Sequence, residues 1–200
     1  MKQFIFTLIL PIAFIVSSCN NDDGPTITDD QRQLIMGDDG DGVRLLGLNT
    51  PIVVERDDVH SWRHVWGDLD LNGDEDVVLL AYQDFGGSTA TTNRGLVIST
   101  PNSSVNSEVL VDANGFVVPL NPGDAIKFDE GTWASVTEAP LAVYDNATTP
   151  NSTGLWNGAS NKFVAFRMQD GNTRFLAWIE LSVSDFDNHS FFNYGIKIVP

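Results

Sequence analysis

Oxygen-bearing side chains at alternate positions mark the part of the sequence that could bind a cation. Residues 68–76 read Asp-Leu-Asp-Leu-Asn-Gly-Asp-Glu-Asp, which places oxygens at the first, third, fifth, seventh and ninth positions. Calcium takes six or more hard oxygens at about 2.3–2.6 Å, and alternate loop positions can wrap one ion. The spacing therefore predicts a Ca²⁺ site formed by the side chains of Asp68, Asp70, Asn72 and Asp76 and the backbone carbonyl of Asp74.

Other features of the same segment refine this prediction. Gly73, at the sixth position, allows a sharp turn without a Cβ clash. The carboxylates of the segment fall inside the roughly 8 Å screening length of physiological salt, so they repel one another unless a cation is bound. Leu79 stands at the twelfth position, where an EF-hand has a bidentate Glu, so the segment is not an EF-hand. The alternative is a solvated acidic turn, because Asp, Asn and Gly favour turns for backbone reasons alone.

Tryptophan side chains offer a second kind of chemistry, which is stacking against a sugar ring. Trp62 and Trp66 share one face of a predicted strand, and Trp156 lies in a later segment. Exposed rings would favour glycan binding, whereas packing in the core is the other fate open to them. The sequence has no G-x-S-x-G, H-E-x-x-H or P-loop motif, so it identifies no catalytic residue. Whether the chain is an enzyme stays uncertain, and a non-catalytic role is favoured.

Charge and cysteine content exclude several classes of protein. The 200 residues contain 27 acidic and 11 basic side chains, a formal charge of -16, so no basic surface is expected to neutralise nucleic-acid phosphates. Nucleic acid is therefore excluded as a partner. The single cysteine excludes an internal disulfide and a zinc cluster built on several thiolates.

The amino-terminal segment predicts export and a membrane anchor. A positive residue, an apolar run and two serines precede Cys19, as in a secretory signal spanning residues 1–18. Residues 16–19, Val-Ser-Ser-Cys, resemble a bacterial lipobox, which implies a lipid anchor on Cys19, the outer membrane as location, and a surface-exposed or periplasmic domain. The alternative is an ordinary signal peptide with an incidental cysteine. Residues 19–42, rich in Asp and Gly, are predicted to form a flexible acidic tether after the lipidated cysteine.

The remaining residues, 43–200, show short β-rich runs separated by turn residues, and helical periodicity is nearly absent. This pattern predicts a single all-β domain, an antiparallel β-sandwich of the jelly-roll-like kind. A tight hairpin is predicted at Asp170-Gly171 and a turn at residues 121–124, Asn-Pro-Gly-Asp. The predicted strands are Val43–Leu48, Ile52–Glu55, Val59–Trp66, Val77–Gln83, Gly95–Thr100, Glu108–Val111, Phe116–Leu120, Ala125–Phe128, Leu141–Tyr144, Lys162–Gln169, Arg174–Val183 and Phe191–Ile198.

Three segments are similar to uncharacterised secreted bacterial β-sandwich lipoproteins. They are the loop 68–76, which itself resembles the calcium loops of FG-GAP repeats, residues 117–126 (Val-Val-Pro-Leu-Asn-Pro-Gly-Asp-Ala-Ile), and residues 176–181 (Leu-Ala-Trp-Ile-Glu-Leu). The resemblance covers residues 60–198 and implies the sandwich fold without an established activity. We therefore expect a cell-surface lipoprotein with a calcium-stabilised, non-catalytic module that binds a glycan or protein or serves a structural role. The alternative is an extracellular glycan-binding or glycan-processing accessory module.

Overall fold

The computed structural model describes residues 28–40, 42–55, 62–86, 90–101, 106–145, 151–184 and 188–200. Within these residues the chain is almost entirely extended, with one helical turn near its start. The elements are α1 (Asp29–Arg32), β1 (Gln33–Ile35), β2 (Val43–Glu55), β3 (Trp62–Gly67), β4 (Val77–Gly86), β5 (Ala90–Ser99), β6 (Asn106–Val111), β7 (Ala125–Lys127), β8 (Thr132–Ala134), β9 (Ala139–Asp145), β10 (Asn151–Thr153), β11 (Ala159–Asp170), β12 (Thr173–Val183) and β13 (Asn188–Val199).

Two antiparallel sheets form a sandwich. One sheet has five strands in the order β10-β9-β5-β4-β3, and the other has six in the order β2-β13-β12-β11-β6-β8. Their facing side chains form one buried cluster, to which the first sheet contributes Leu79, Ile98 and Leu141 and the second contributes Phe166 and Ile179. The prediction of an all-β antiparallel sandwich in a single domain is therefore confirmed.

The six-stranded sheet is covered on its outer face as well. A two-stranded ribbon of β1 and β7 lies there, and its residues Leu34 and Ile126 share a second buried cluster with Leu176 and Trp178. Four successive residues of β12, 176–179, are consequently buried, so the alternation expected of a strand with one wet face is lost. The domain thus has a third, thin layer.

This third layer corrects the predicted boundary at residue 43. Leu34 and Met36 are 1% and 2% exposed, and residues 33–35 pair with β7, so the prediction of a flexible tether is wrong for residues 28–40. We call these residues the N-terminal strap. Its apolar stretch is short and flanked by acids, which is why the sequence resembles a tether, but burial of each such side chain stabilises the fold by about 1.5–3 kcal/mol.

Several predicted strands also change. The two runs expected before residue 56 form one strand, β2, whose pairing with β13 shifts register between its two halves. The strand predicted at Phe116–Leu120 is wrong, because Val117 and Leu120 make only isolated bridges and Pro119 has no N–H for a ladder. The short strands β1, β8 and β10 and the turn α1 were not predicted.

The local turn predictions hold. Asp170 pairs with Thr173 across a two-residue loop in which Gly171 has a φ of +55°. In the second turn the Asp124 N–H donates to the Asn121 carbonyl at 3.1 Å, and Gly123 has a φ of +86°. Both turns need a glycine in the left-handed region.

Candidate metal site

The segment 68–76 is the loop between β3 and β4, and the fold holds both of its ends. Gly67 pairs with Val77, and the Asp76 N–H donates to the Gly67 carbonyl at 2.8 Å. Leu69 and Val77 are each 1% exposed and belong to the core between the sheets. The loop is therefore fixed to the core by its apolar residues, while residues 71–75 are exposed.

Asp76 forms the floor of the loop. It is fully buried, and its Oδ2 accepts hydrogen bonds from the N–H groups of Leu69 at 2.7 Å and Asp70 at 3.2 Å. Its other oxygen, Oδ1, is buried and has no hydrogen-bond partner. Because leaving a charged acceptor buried and unpaired is costly, this oxygen calls for a cation or a proton.

Asp68 divides its two oxygens in the same way. Its Oδ2 accepts a hydrogen bond from the Gly73 N–H at 2.9 Å, whereas its Oδ1 is buried without a partner. In both aspartates, therefore, one oxygen shapes the loop and the other is left free. The two free oxygens belong to residues at the first and ninth positions of the predicted site.

The middle of the loop is held by hydrogen bonds among its own residues. Asp70 accepts from the backbone N–H of Asn72 at 3.0 Å and from its side-chain amide at 3.1 Å. The side-chain oxygen of Asn72 in turn accepts from the Asp74 N–H at 2.7 Å. These contacts place Leu71 at a φ of +64° and Gly73 at +98°. Gly73 takes this conformation without strain, whereas Leu71 does so at a cost.

Three of the predicted ligands come together. One carboxylate oxygen from each of Asp68, Asp70 and Asp76 lies within 4.8 Å of the others. Oxygens about 2.3–2.6 Å from one ion are separated by no more than about 5 Å, so this spacing suits a shared cation. The cluster could hold a metal ion. The carboxylate of Asp74 does not join it, and the side chain of Asn72 is engaged within the loop.

The electrostatics agree with this geometry. Burial raises the pKa of Asp76 to about 6, against the hydrogen bonds from Leu69 and Asp70, and the charges of Asp70 and Asp68 raise it further. Burial likewise raises the pKa of Asp70, opposed by the Asn72 N–H and aided by the charges of Asp68 and Asp170. Neighbouring carboxylates therefore add to the effect of burial in raising both pKa values. A divalent cation would reverse both effects.

The other candidate residues fare differently. Trp156 is fully buried, and its indole N–H donates to the Val117 carbonyl at 3.0 Å. The prediction that this ring is available to a glycan is therefore wrong, and the alternative, that it packs in the core, is confirmed. Cys19, the signal segment and the side chains of Trp62 and Trp66 lie outside the described residues. The glycan-binding alternative now depends on Trp62 and Trp66 alone.

A second loop of similar composition, residues 112–116 (Asp-Ala-Asn-Gly-Phe), was not predicted. Asp112 Oδ1 accepts from the N–H groups of Asn114 and Phe116, both at 2.9 Å, and Oδ2 accepts from the Asn114 side-chain amide at 3.3 Å. These hydrogen bonds, the one from Phe116 foremost, lower the pKa of Asp112. The Asp-x-Asn-Gly pattern could have identified this turn.

No protein-family model matches the chain, and the comparisons with curated proteins and with solved structures give no match. Among the described residues no helix has the length and apolar character needed to cross a bilayer.

Proposed function

We propose that the chain is a cell-surface lipoprotein whose β-sandwich is stabilised by Ca²⁺ bound in the loop 68–76, and that it acts as a non-catalytic binding or structural module. The observation that carries the proposal is the pair of buried, unpartnered oxygens, Asp68 Oδ1 and Asp76 Oδ1, within a cluster of three carboxylates. In an acidic turn held only by its own hydrogen bonds, the carboxylate oxygens accept those bonds or face water, and buried oxygens without a partner are not expected.

The chemistry of the cluster favours calcium over other common ions. Its members are all carboxylates, whereas zinc sites are built mainly from Cys and His. Magnesium requires near-ideal octahedral geometry at about 2.0–2.1 Å and gives up its water reluctantly, which a nine-residue loop fixed at both ends serves poorly. Calcium accepts six to eight oxygens in flexible geometry, so it suits side chains that converge from alternate positions.

Thermal unfolding in calcium, in magnesium and in EDTA tests the ion. For a dissociation constant of about 10⁻⁴–10⁻³ M, about 10 mM Ca²⁺ adds about 1.4–2.7 kcal/mol to the unfolding free energy. For a domain of this size the midpoint should rise by about 3–10 °C. Magnesium should give a smaller rise. Equal midpoints in calcium and EDTA would contradict the proposal.

The lipid anchor is tested separately. Palmitate should label the wild-type chain in a bacterial host, and the Cys19→Ala variant should carry none. Label retained by that variant would remove the anchor from the proposal without touching the ion site.

A further inference from the structure

The ion loop shares one end of the sandwich with the β11–β12 hairpin. β4 and β5 end their pairing beside it at Val78 and Ser99, and the chain then crosses to Asn106, which pairs with Gln169 next to the hairpin tip. The negative charge of Asp170 also raises the pKa of Asp70, although burial raises it more. We call this the loop end, defined by residues 68–76 and 170–173.

The described chain enters the domain at the loop end too. Lys197 Nζ donates to the carbonyls of Asp30 at 2.7 Å and Gln33 at 2.9 Å. These bonds connect the N-terminal strap to the last residues of β13. Asp29 and Arg32 line a cavity together with Arg174, the residue that follows Thr173 of the hairpin. The strap then runs away from the loop end toward Met36.

The distance from the anchor to the strap is limited by covalent geometry. Nine residue steps separate Cys19 from Thr28, and at no more than about 3.6 Å each they reach at most about 32 Å. A strand as long as the 12-residue β11 measures about 40 Å. A chain anchored at Cys19 therefore cannot present the opposite end of the sandwich head-on to the lipid, and the loop end is the end that can.

The loop end has the surface that such a position would use. Four large apolar side chains are exposed in the described residues. Leu71, at 41%, belongs to the loop end, and Ile198, at 66%, lies beside it, paired with Phe175 of β12. Leu71 stands between Asp70 and Asn72 in a left-handed conformation that a bulky residue rarely adopts. The cavity near this end is lined by both basic and acidic side chains, namely Arg32, Lys127, Arg174, Asp29, Asp129 and Glu130.

The ion also lacks a full set of protein oxygens. Asp68, Asp70, Asn72, Asp76 and the carbonyl of Asp74 supply five if each contributes one, and calcium takes six to eight. A position that these five oxygens leave open can be filled by water or by a group from outside the loop. Because residues 71–75 are exposed, that position faces solvent or whatever lies against the loop end.

We propose that the loop end docks on the membrane that holds the chain, where a phosphate oxygen of a lipid headgroup completes the coordination of the bound Ca²⁺ and Leu71 enters the interface. This inference rests on the proposed function, because it needs both the anchor and the ion. Without the ion, the five carboxylates of the loop repel phosphate. When Ca²⁺ is bound, its two positive charges reduce the formal charge of the loop from -5 to -3. The remaining charge is screened over about 8 Å.

Photo-crosslinking from Leu71 tests the docking. The chain from Cys19 onward is coupled through that cysteine to a maleimide lipid in phosphatidylethanolamine–phosphatidylglycerol vesicles, with Leu71→p-benzoylphenylalanine. Crosslinks to lipid are expected in calcium and should be lost in EDTA. The matched control is the same substitution at Leu155, which is 46% exposed and lies outside the loop end. Its neighbour Trp156 donates its backbone N–H to the Leu141 carbonyl of β9 at 3.0 Å. That position should give no calcium-dependent crosslinks.

Two further arms separate the causes of failure. Vesicles of a phosphate-free galactolipid should lose the calcium-dependent crosslinking, and its persistence there would overturn the assignment to phosphate. Calorimetry measures Ca²⁺ binding by the same variants in solution. If Ca²⁺ binds but residue 71 crosslinks no more than residue 155, the docking is overturned and the proposed function stands. If Ca²⁺ binds to neither variant, including the Leu155 variant with its unaltered loop, the proposed function itself fails.

Discussion

Two acidic loops of similar composition use their carboxylates in different ways. In residues 112–116 both oxygens of Asp112 accept hydrogen bonds from the loop, and its pKa is lowered. In residues 68–76 Asp68 and Asp76 each keep a buried oxygen without a partner, and burial raises the pKa of Asp76 to about 6. Each loop has a glycine in the left-handed region, Gly73 at +98° and Gly115 at +83°.

The difference shows what distinguishes an ion loop from a turn. Asp, Asn and Gly suffice for a turn, and residues 112–116 are the solvated acidic turn that was the alternative interpretation of residues 68–76. The longer loop adds carboxylates beyond those needed to satisfy its N–H groups, and it places them against the core. Excess acceptors with raised pKa values are typical of a functional site, whereas satisfied acceptors are typical of a structural one.

The largest expected effect comes from removing the floor of the ion loop. Asp76→Ala deprives the buried N–H of Leu69 of its acceptor and should cost about 2–4 kcal/mol of unfolding free energy even in EDTA. It should also abolish the calcium-dependent gain. Asp112→Ala, at a water-exposed turn, should cost less and keep the full calcium response. Urea unfolding with and without calcium measures both, and a calcium response retained by Asp76→Ala would equate the two loops.

His189 sharpens the comparison, because it is a buried polar group whose pKa is shifted by burial. It is 2% exposed, its Nε2 has no partner, and burial lowers its pKa to about 4. A folded pKa below the ordinary 6.5 means that its contribution to stability is complete above pH 6.5 and is lost as the pH falls toward 4. Unlike the aspartates, this side chain meets burial by staying neutral.

Between pH 7 and pH 5 this histidine should cost the fold about 2 kcal/mol. His189→Gln should remove that part of the pH dependence, measured as the difference in unfolding free energy between the variant and the wild type at the two pH values. All other titrating groups are common to both chains and cancel. A difference that does not change with pH would contradict the lowered pKa.

Local signals made part of this structure predictable. The Asp170-Gly171 hairpin follows from residues adjacent in sequence, and the alternate oxygens of residues 68–76 can be read directly from their spacing. The burial of Asp76 could not be predicted from the sequence, because it depends on the core contacts of Leu69 and Val77. The burial of Leu34 and Met36 was not predicted for the same reason, since their partners on β7, β11, β12 and β13 are far away in sequence.

The two left-handed glycines provide a matched pair. A Cβ at Gly73 or Gly115 would meet no atom within 4 Å, so Gly73→Ala and Gly115→Ala differ in location and not in steric fit. Each should cost about 1–2 kcal/mol from backbone strain alone. Only Gly73→Ala should also weaken Ca²⁺ binding, because it disturbs the N–H that holds Asp68. Calorimetric titration with Ca²⁺ distinguishes them, and equal affinities would show that the turn does not shape the ion site.

The smallest effect concerns Asp170, whose charge reaches Asp70 from the hairpin of the opposite sheet. Asp170→Asn leaves the loop intact and removes one exposed negative charge, so Ca²⁺ affinity should fall by about twofold at physiological salt. High salt should erase this difference, because the interaction passes through solvent. Asp129→Asn, beside Arg174 on the outer face, is the control and should leave the affinity unchanged. A loss that persists at high salt would instead make Asp170 a direct ligand, which would extend the ion site across both sheets and separate it still further from the self-satisfied turn at residues 112–116.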